Sequence, residues 1–372
     1  MTRREFVIMS ALAAAGRSAA AGKQPHWPKY SQTLCIDGEC GCGLFFLDDG
    51  DPTIPAELRA IKDSGLSGIL FTVGPNGRFW LDDAQFELTK SSIAKCKARI
   101  AAHPQHLLLV NGVQDLHAAL RERRMGVVMR FQGSEPIGED LDRVSLFRAL
   151  GVRVVQLTHN RRNIVGDGAM EPGNAGLSNF GHELVERLNA EKLIVDLAHG
   201  AQRTIAEGIR ASKSPVLISH TGCRALSDLP RNTSDAELRA MADRGGVAGI
   251  IFWPYLRTDT QPMAVDVIRH IEHAIDVCGE DHVGIGTDTN LAPIDRTAKF
   301  ESENREWVAG SVQYGVFAPG RPPDLYTFIP DLNVADRFDV LAAKLSAAGH
   351  PDARIAKILG GNFARVMGEV WG

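Results

Sequence analysis

The chain has 372 residues, 44% of them hydrophobic and 23% charged, the balance of a soluble globular protein, which excludes disordered, collagenous and fibrous classes. Forty-one Lys and Arg against 45 Asp and Glu give a formal net charge of −4, without the basic excess that a nucleic-acid-binding surface requires. Six cysteines, at 35, 40, 42, 96, 223 and 278, include no C-x-x-C pair and are spaced too irregularly for a disulfide framework.

The amino terminus reads Thr2-Arg3-Arg4-Glu5-Phe6-Val7, then a weakly apolar run over 8–16, then small residues ending in Ala19-Ala20-Ala21. This order resembles a twin-arginine export signal, so removal after Ala21 and a soluble periplasmic location are expected. The apolar run is far shorter than the roughly 20 residues that span a bilayer as a helix. No transmembrane segment is expected.

From residue 34 onward, nine short apolar, β-branched runs read as strands: 34–37, 68–72, 107–110, 127–131, 152–157, 193–196, 216–219, 247–252 and 283–286. Between them, segments such as 141–150, 180–190, 201–211 and 235–244 carry apolar residues three and four apart, the spacing of amphipathic helices. Strand and helix in alternation imply parallel strands joined by right-handed crossovers. About eight such units predict a single-domain (β/α)8 TIM-type barrel over 34–372, with an open doubly wound sheet as the alternative. One run is surplus. The weakest, 107–110, reads as an extension leading into a helix over 113–123. Gly315, Pro319, Gly320, Pro322, Pro323 and Pro330 predict a long surface loop over 304–331. Two closing helices follow, over 336–348 and 352–367, the second broken at Gly360-Gly361-Asn362.

Three runs finish in histidine, at His159, His199 and His220, and the last ends in Asp288. In a barrel all four side chains meet at the carboxyl face, where each strand end aims a residue at a common centre. Neutral imidazoles suit zinc and similar divalent ions, and an open coordination position lets bound water ionise near neutral pH. His199 and His220, on adjacent strands, form the natural ligand pair. His159 can hydrogen-bond a substrate oxygen on which charge develops, and Asp288 can take and return a proton. His270 and His273 lie three apart on a predicted helix, where a solvated face is expected for both.

Taken together, these segments resemble the membrane dipeptidase (renal dipeptidase) family of the amidohydrolase superfamily. The resemblance runs through Leu157-Thr158-His159-Asn160, Gly176-Leu177-Ser178-Asn179, Asp196-Leu197-Ala198-His199, Ile218-Ser219-His220, Pro230-Arg231-Asn232, Gly284-Ile285-Gly286-Thr287-Asp288 and Gly360-Gly361-Asn362-Phe363. It implies a (β/α)8 barrel that hydrolyses small dipeptides or related amides at a two-metal centre, and it admits a homodimer. By the same resemblance His199 and His220 are ligands of one metal, and His159 polarises the scissile carbonyl or binds its oxyanion. Arg231 anchors the substrate's terminal carboxylate, and Asp288 is the catalytic acid and base.

Half of the implied site departs from the pattern. Where the family has Asp-Gly-His-x-Asp, this chain has Asp37-Gly38-Glu39-Cys40-Gly41, and where the family supplies a bridging glutamate it has Gln132. A neutral amide binds zinc weakly and cannot offset the repulsion between two close dications. One zinc ion is therefore expected rather than two. Three outcomes are open. In the first, a mononuclear hydrolase uses His199 and His220, with Glu39, Cys40 or water completing the site. In the second, Glu39 with Cys40 or Cys42 builds a softer site with altered chemistry. In the third, an inactive relative only binds a peptide-like ligand.

Overall fold

The computed structural model describes residues 25–74, 84–313, 316–317, 321–322 and 324–372. The expected export signal at 1–21 lies outside these residues, as do Gly315, Pro319, Gly320 and Pro323. The strands are β1 (Ile36–Asp37), β2 (Cys40–Gly41), β3 (Gly68–Thr72), β4 (Leu107–Leu109), β5 (Met125–Phe131) and β6 (Val152–Gln156). They continue with β7 (Ile194–Asp196), β8 (Leu217–Thr221), β9 (Val247–Ile250), β10 (Val283–Ile285) and β11 (Thr289–Asn290).

Eight of them pair in parallel in the order β1-β3-β5-β6-β7-β8-β9-β10. The Gly38 N–H donates to Ile285 O at 2.9 Å, and Asp37 accepts from the Thr287 N–H and hydroxyl at 2.7 and 2.6 Å, bringing the first strand beside the last. The sheet is a nearly closed barrel rather than an open one. β4 is the surplus run, off the barrel path. It pairs with Met125–Val127, the part of the β5 edge that β6 leaves free because β6 joins only from Met129. β2 and β11 form a separate two-stranded parallel ribbon.

Side chains alternate in and out along each strand, so inward residues form layers. The lower layer is apolar: Ile36, Leu70, Val128, Val154, Ile194, Leu217 and Val247 cluster with Phe363, Val366 and Met367 of the helix Asn362–Trp371, which fills the amino-terminal mouth. Two residues further along the same strands the layer is polar, with Arg130, Gln156, Asp196 and Ser219 all fully buried. The backbone packs tightly here. A Cβ at Gly249 or Gly286 would lie 2.1 or 2.0 Å from Ser219 O, so only glycine lets these strands approach.

Three expectations need correction. Residues 304–313 are not loop but the last part of a helix, Ala298–Gln313, since the chain-breaking residues cluster only after 314. His270 is buried rather than solvated, with Nδ1 accepting from the Cys223 N–H at 2.9 Å and Nε2 donating to Leu256 O at 3.0 Å. Its partners come from loops that helical spacing does not reveal. His273 is half-buried and meets Asp235 at 2.9 Å. At the carboxyl end, the expected break at Gly360-Gly361 is a π-turn, Lys357–Gly361, between two helices. Among the described residues no helix is long and apolar enough to cross a membrane.

Candidate metal and substrate site

His199 and Asp288 follow β7 and β10 in left-handed backbone, at φ 63° and 55°. Neither is glycine, and such conformations cost about 1–3 kcal/mol each, tolerated where surrounding contacts hold them. The contacts are present: Ala169 N–H donates to His199 O and Asp288 N–H donates to Glu39 O, both at 2.7 Å. This conformation turns both side chains toward His220 on β8. His199 Nε2 lies 2.8 Å from His220 Nε2, and Asp288 Oδ2 lies 4.0 Å from the same nitrogen. These three residues offer ligand atoms that all lie within 4.8 Å of one another.

Hydrogen bonding fixes the protonation of both rings. Ser219 Oγ donates its hydrogen to Asp196 Oδ2 at 2.6 Å and accepts from Arg130 at 2.9 Å, so it can only accept from His220 Nδ1, 2.8 Å away. His199 Nδ1 donates to Asn160 Oδ1 at 2.8 Å, with the amide assigned in the same sense. Both Nδ1 atoms carry the proton, which leaves both Nε2 lone pairs facing each other. Burial, with the charge of Arg231 next in importance, holds both imidazoles neutral far below the usual histidine range. Two facing lone pairs repel, and a shared cation turns that repulsion into coordination. The two imidazole donors, with the Asp288 carboxylate beside them, fit a zinc ion.

Neighbouring groups fit a substrate. The His159 ring stacks on His199 at 4.2 Å between centroids, and burial, followed by the Arg231 charge, lowers it to about 3. It is a neutral hydrogen-bonding group. Arg231 is 4% exposed and donates from Nη2 to His220 O at 3.1 Å, while its Nε is buried without a partner. Its guanidinium carbon lies 5.9 Å from the centre of the Tyr255 ring. Burial pushes the Asp288 carboxyl well above the usual range, and the negative charge of Glu39 adds to the shift.

The remaining candidate ligands stand apart. Gln132 Nε2 lies 3.5 Å from His220 Nε2, beside the pair, and offers a neutral amide. Glu39 is engaged by Arg130, Nη1 to Oε2 at 2.5 Å, and accepts from Thr72 Oγ1 at 3.1 Å. Cys40 donates its thiol hydrogen to Gly41 O at 3.3 Å, and burial raises its thiol well above the ordinary range. Neither Glu39 nor Cys40 belongs to the converging group, contrary to expectation, because a buried guanidinium and a ribbon strand hold them. Cys42 is likewise buried and protonated.

Asn160, Ser219 and Asp196 support this site and were not assigned roles from the sequence. Each lies next to a strand-end histidine or in the same run, so adjacency was their only visible signal.

A family model described as membrane dipeptidase (peptidase family M19) matches residues 46–296. The chain belongs to the membrane dipeptidase family. Among curated relatives, "Dipeptidase verJ" of Clonostachys rogersoniana is 26% identical over 293 residues, covering 77% of this chain and 67% of that protein. Among solved structures, an amidohydrolase from Pseudomonas aeruginosa superposes with a TM-score of 0.76 at 27% identity, covering 92% of this chain and 98% of the other. A metallopeptidase from Rhodobacter sphaeroides, liganded with a phosphinate mimic of the dipeptide L-Ala-D-Ala, shares the fold with a TM-score of 0.73 at 20% identity, covering 91% and 100%. Membrane dipeptidases are metal-dependent hydrolases. At the end of the first strand this chain carries Glu39 and Gly41, and Arg130 sits against Glu39.

Proposed function

We propose that the chain hydrolyses dipeptides or closely related small amides with a single zinc ion held by His199 and His220. The observation that carries this reading is the approach of the His199 and His220 Nε2 atoms to 2.8 Å beside Asp288. Zinc bound there supplies a Lewis acid and lowers the pKa of its water. Arg231 holds the substrate's terminal carboxylate through its guanidinium, since a charge-assisted hydrogen bond in a buried site is strong. His159, neutral, donates to the carbonyl oxygen as negative charge develops on it. Asp288 removes a proton from the attacking water as the C–O bond forms. It returns that proton to the amide nitrogen as the C–N bond breaks, releasing amine and carboxylate.

Elemental analysis of the purified chain, followed by a dipeptide panel with and without chelator, tests the reading. One ion per chain and chelator-sensitive turnover are expected. His220→Ala should then lose both, because one imidazole rarely retains zinc; a variant that keeps its ion and its turnover excludes the assignment. The Arg130–Glu39 pair and Gln132 favour a second reading, in which the site binds a peptide-like ligand without turnover. Its signature is ligand binding with no hydrolysis at full metal occupancy.

The arginine pair, apolar run and Ala19-Ala20-Ala21 of residues 1–21 support export to the periplasm by the twin-arginine route. Mass analysis of the mature amino terminus from a periplasmic fraction tests this, with cleavage after Ala21 expected.

A further inference from the structure

Beside the histidine pair lies a pocket lined by Arg231 and by a second arginine, Arg321, together with Leu229, Tyr255, Val316 and Phe317. The two guanidinium groups share an unusual state. Arg321 donates from Nη1 to Arg257 O at 2.5 Å and from Nη2 to Pro254 O. Those partners are neutral carbonyls, which orient the group without cancelling its charge. Its Nε, like that of Arg231, is buried with no partner. Among the described residues neither arginine has a carboxylate within ion-pairing distance. Asp259 is taken by Arg257 at 2.8 Å, and Asp288 is directed at His220. The other described lining residues carry no anion: Met170, Leu229, Pro230, Val316 and Phe317 are uncharged, and the Tyr255 hydroxyl is spent on Val316 O at 2.8 Å.

Arg231 is buried and Arg321 partly exposed, and two guanidinium groups facing one largely apolar pocket favour a ligand that brings negative charge. A peptide's terminal carboxylate meets the need of Arg231 alone. We infer that Arg321 is a second carboxylate anchor, so that the pocket selects dipeptides whose carboxyl-terminal residue carries a side-chain carboxylate, aspartate or glutamate. This rests on the proposed hydrolase reading for the orientation of the substrate. The apolar wall then packs the methylene groups between the two carboxylates, and the fixed hydrogen bonds of Arg321 pre-orient its remaining donor.

The test compares Ala-Asp with Ala-Asn and Ala-Glu with Ala-Gln, pairs that differ in charge and hardly in shape. With the zinc-loaded chain, kcat/KM for the acidic member should exceed that of its amide by about 10-fold or more, mostly through KM, as expected for one charge-assisted bond. Arg321→Gln should lower kcat/KM for Ala-Asp about 10-fold more than for Ala-Leu, and Arg321→Lys should recover part of that difference. Equal constants for Ala-Asp and Ala-Asn, or a preference for Ala-Leu, overturn the inference. Calorimetric titration with the same peptides separates the two claims. If no dipeptide is turned over, the hydrolase reading fails, while tighter binding of Ala-Asp than of Ala-Asn still upholds the second anchor and equal binding removes it.

Discussion

Arg130 Nη1 lies 2.5 Å from Glu39 Oε2 inside the barrel, and Nη2 of the same guanidinium lies 2.6 Å from Asp196 Oδ2. One permanent cation is thus held between two buried carboxylates directly beneath the histidine pair. Burial pushes the Glu39 carboxyl up to about 7, and the guanidinium is the largest influence opposing that rise. A metal ion at this place would have to displace a group that cannot be deprotonated or released. By the family resemblance read from the sequence, a metal-ligating histidine is expected where Glu39 stands. Here an organic cation, the Arg130 guanidinium, stands against Glu39, and the proposed single-ion site lies beside it on His199 and His220.

Removing that cation should destabilise the fold. Arg130→Met leaves Glu39 and Asp196 without their counter-charge, and breaking a buried pair in this way typically costs about 3–5 kcal/mol. Denaturant unfolding measures it. A midpoint equal to that of the parent chain would mean that the guanidinium carries no structural weight.

Gln132→Glu places a carboxylate near His220 Nε2, where the amide nitrogen now lies 3.5 Å away. Zinc should bind more tightly and the count should remain one per chain, because Arg130 still occupies Glu39. Two ions in this variant by elemental analysis would show that the ion pair is not what prevents a binuclear centre.

Asn160→Leu removes the acceptor that orients His199 through Nδ1. Loss of such a supporting contact generally weakens metal binding about 10–100-fold. Competition with a chromophoric chelator should show that loss, with the folded circular dichroism spectrum retained. An unaltered zinc affinity would place the ring's orientation under other control.

Asp288→Asn keeps the size of the side chain but can no longer accept a proton. Turnover should fall about 10²–10⁴-fold, the range for loss of a general acid or base. Zinc content should change little, since both imidazoles remain. A variant that loses its ion along with its activity would make Asp288 a ligand first and a proton carrier second.

The barrel and its histidines are readable in the sequence because both follow from local order. Alternating runs dictate parallel strands, and residues at strand ends must share one face. The run 107–110 is readable as a surplus segment for the same reason, since eight other runs already complete the wall. Arg130 is different. Within Met125–Phe131 it looks like a lone charge in an apolar strand, and its partners at 39, 156, 196 and 219 come from four other places in the chain. Only closure of the sheet brings them together. His270 was misread for a similar reason, as loop carbonyl and amide groups decide its burial. The helix Ala298–Gln313 was missed because chain-breaking residues beyond it coloured the whole region.

The underside of the barrel is sealed by Asn362–Trp371, ten residues that come after every strand in chain order. The wall therefore precedes its own plug in the chain, and the ring of Ile, Leu and Val side chains at the bottom is shielded from water only when this helix has docked.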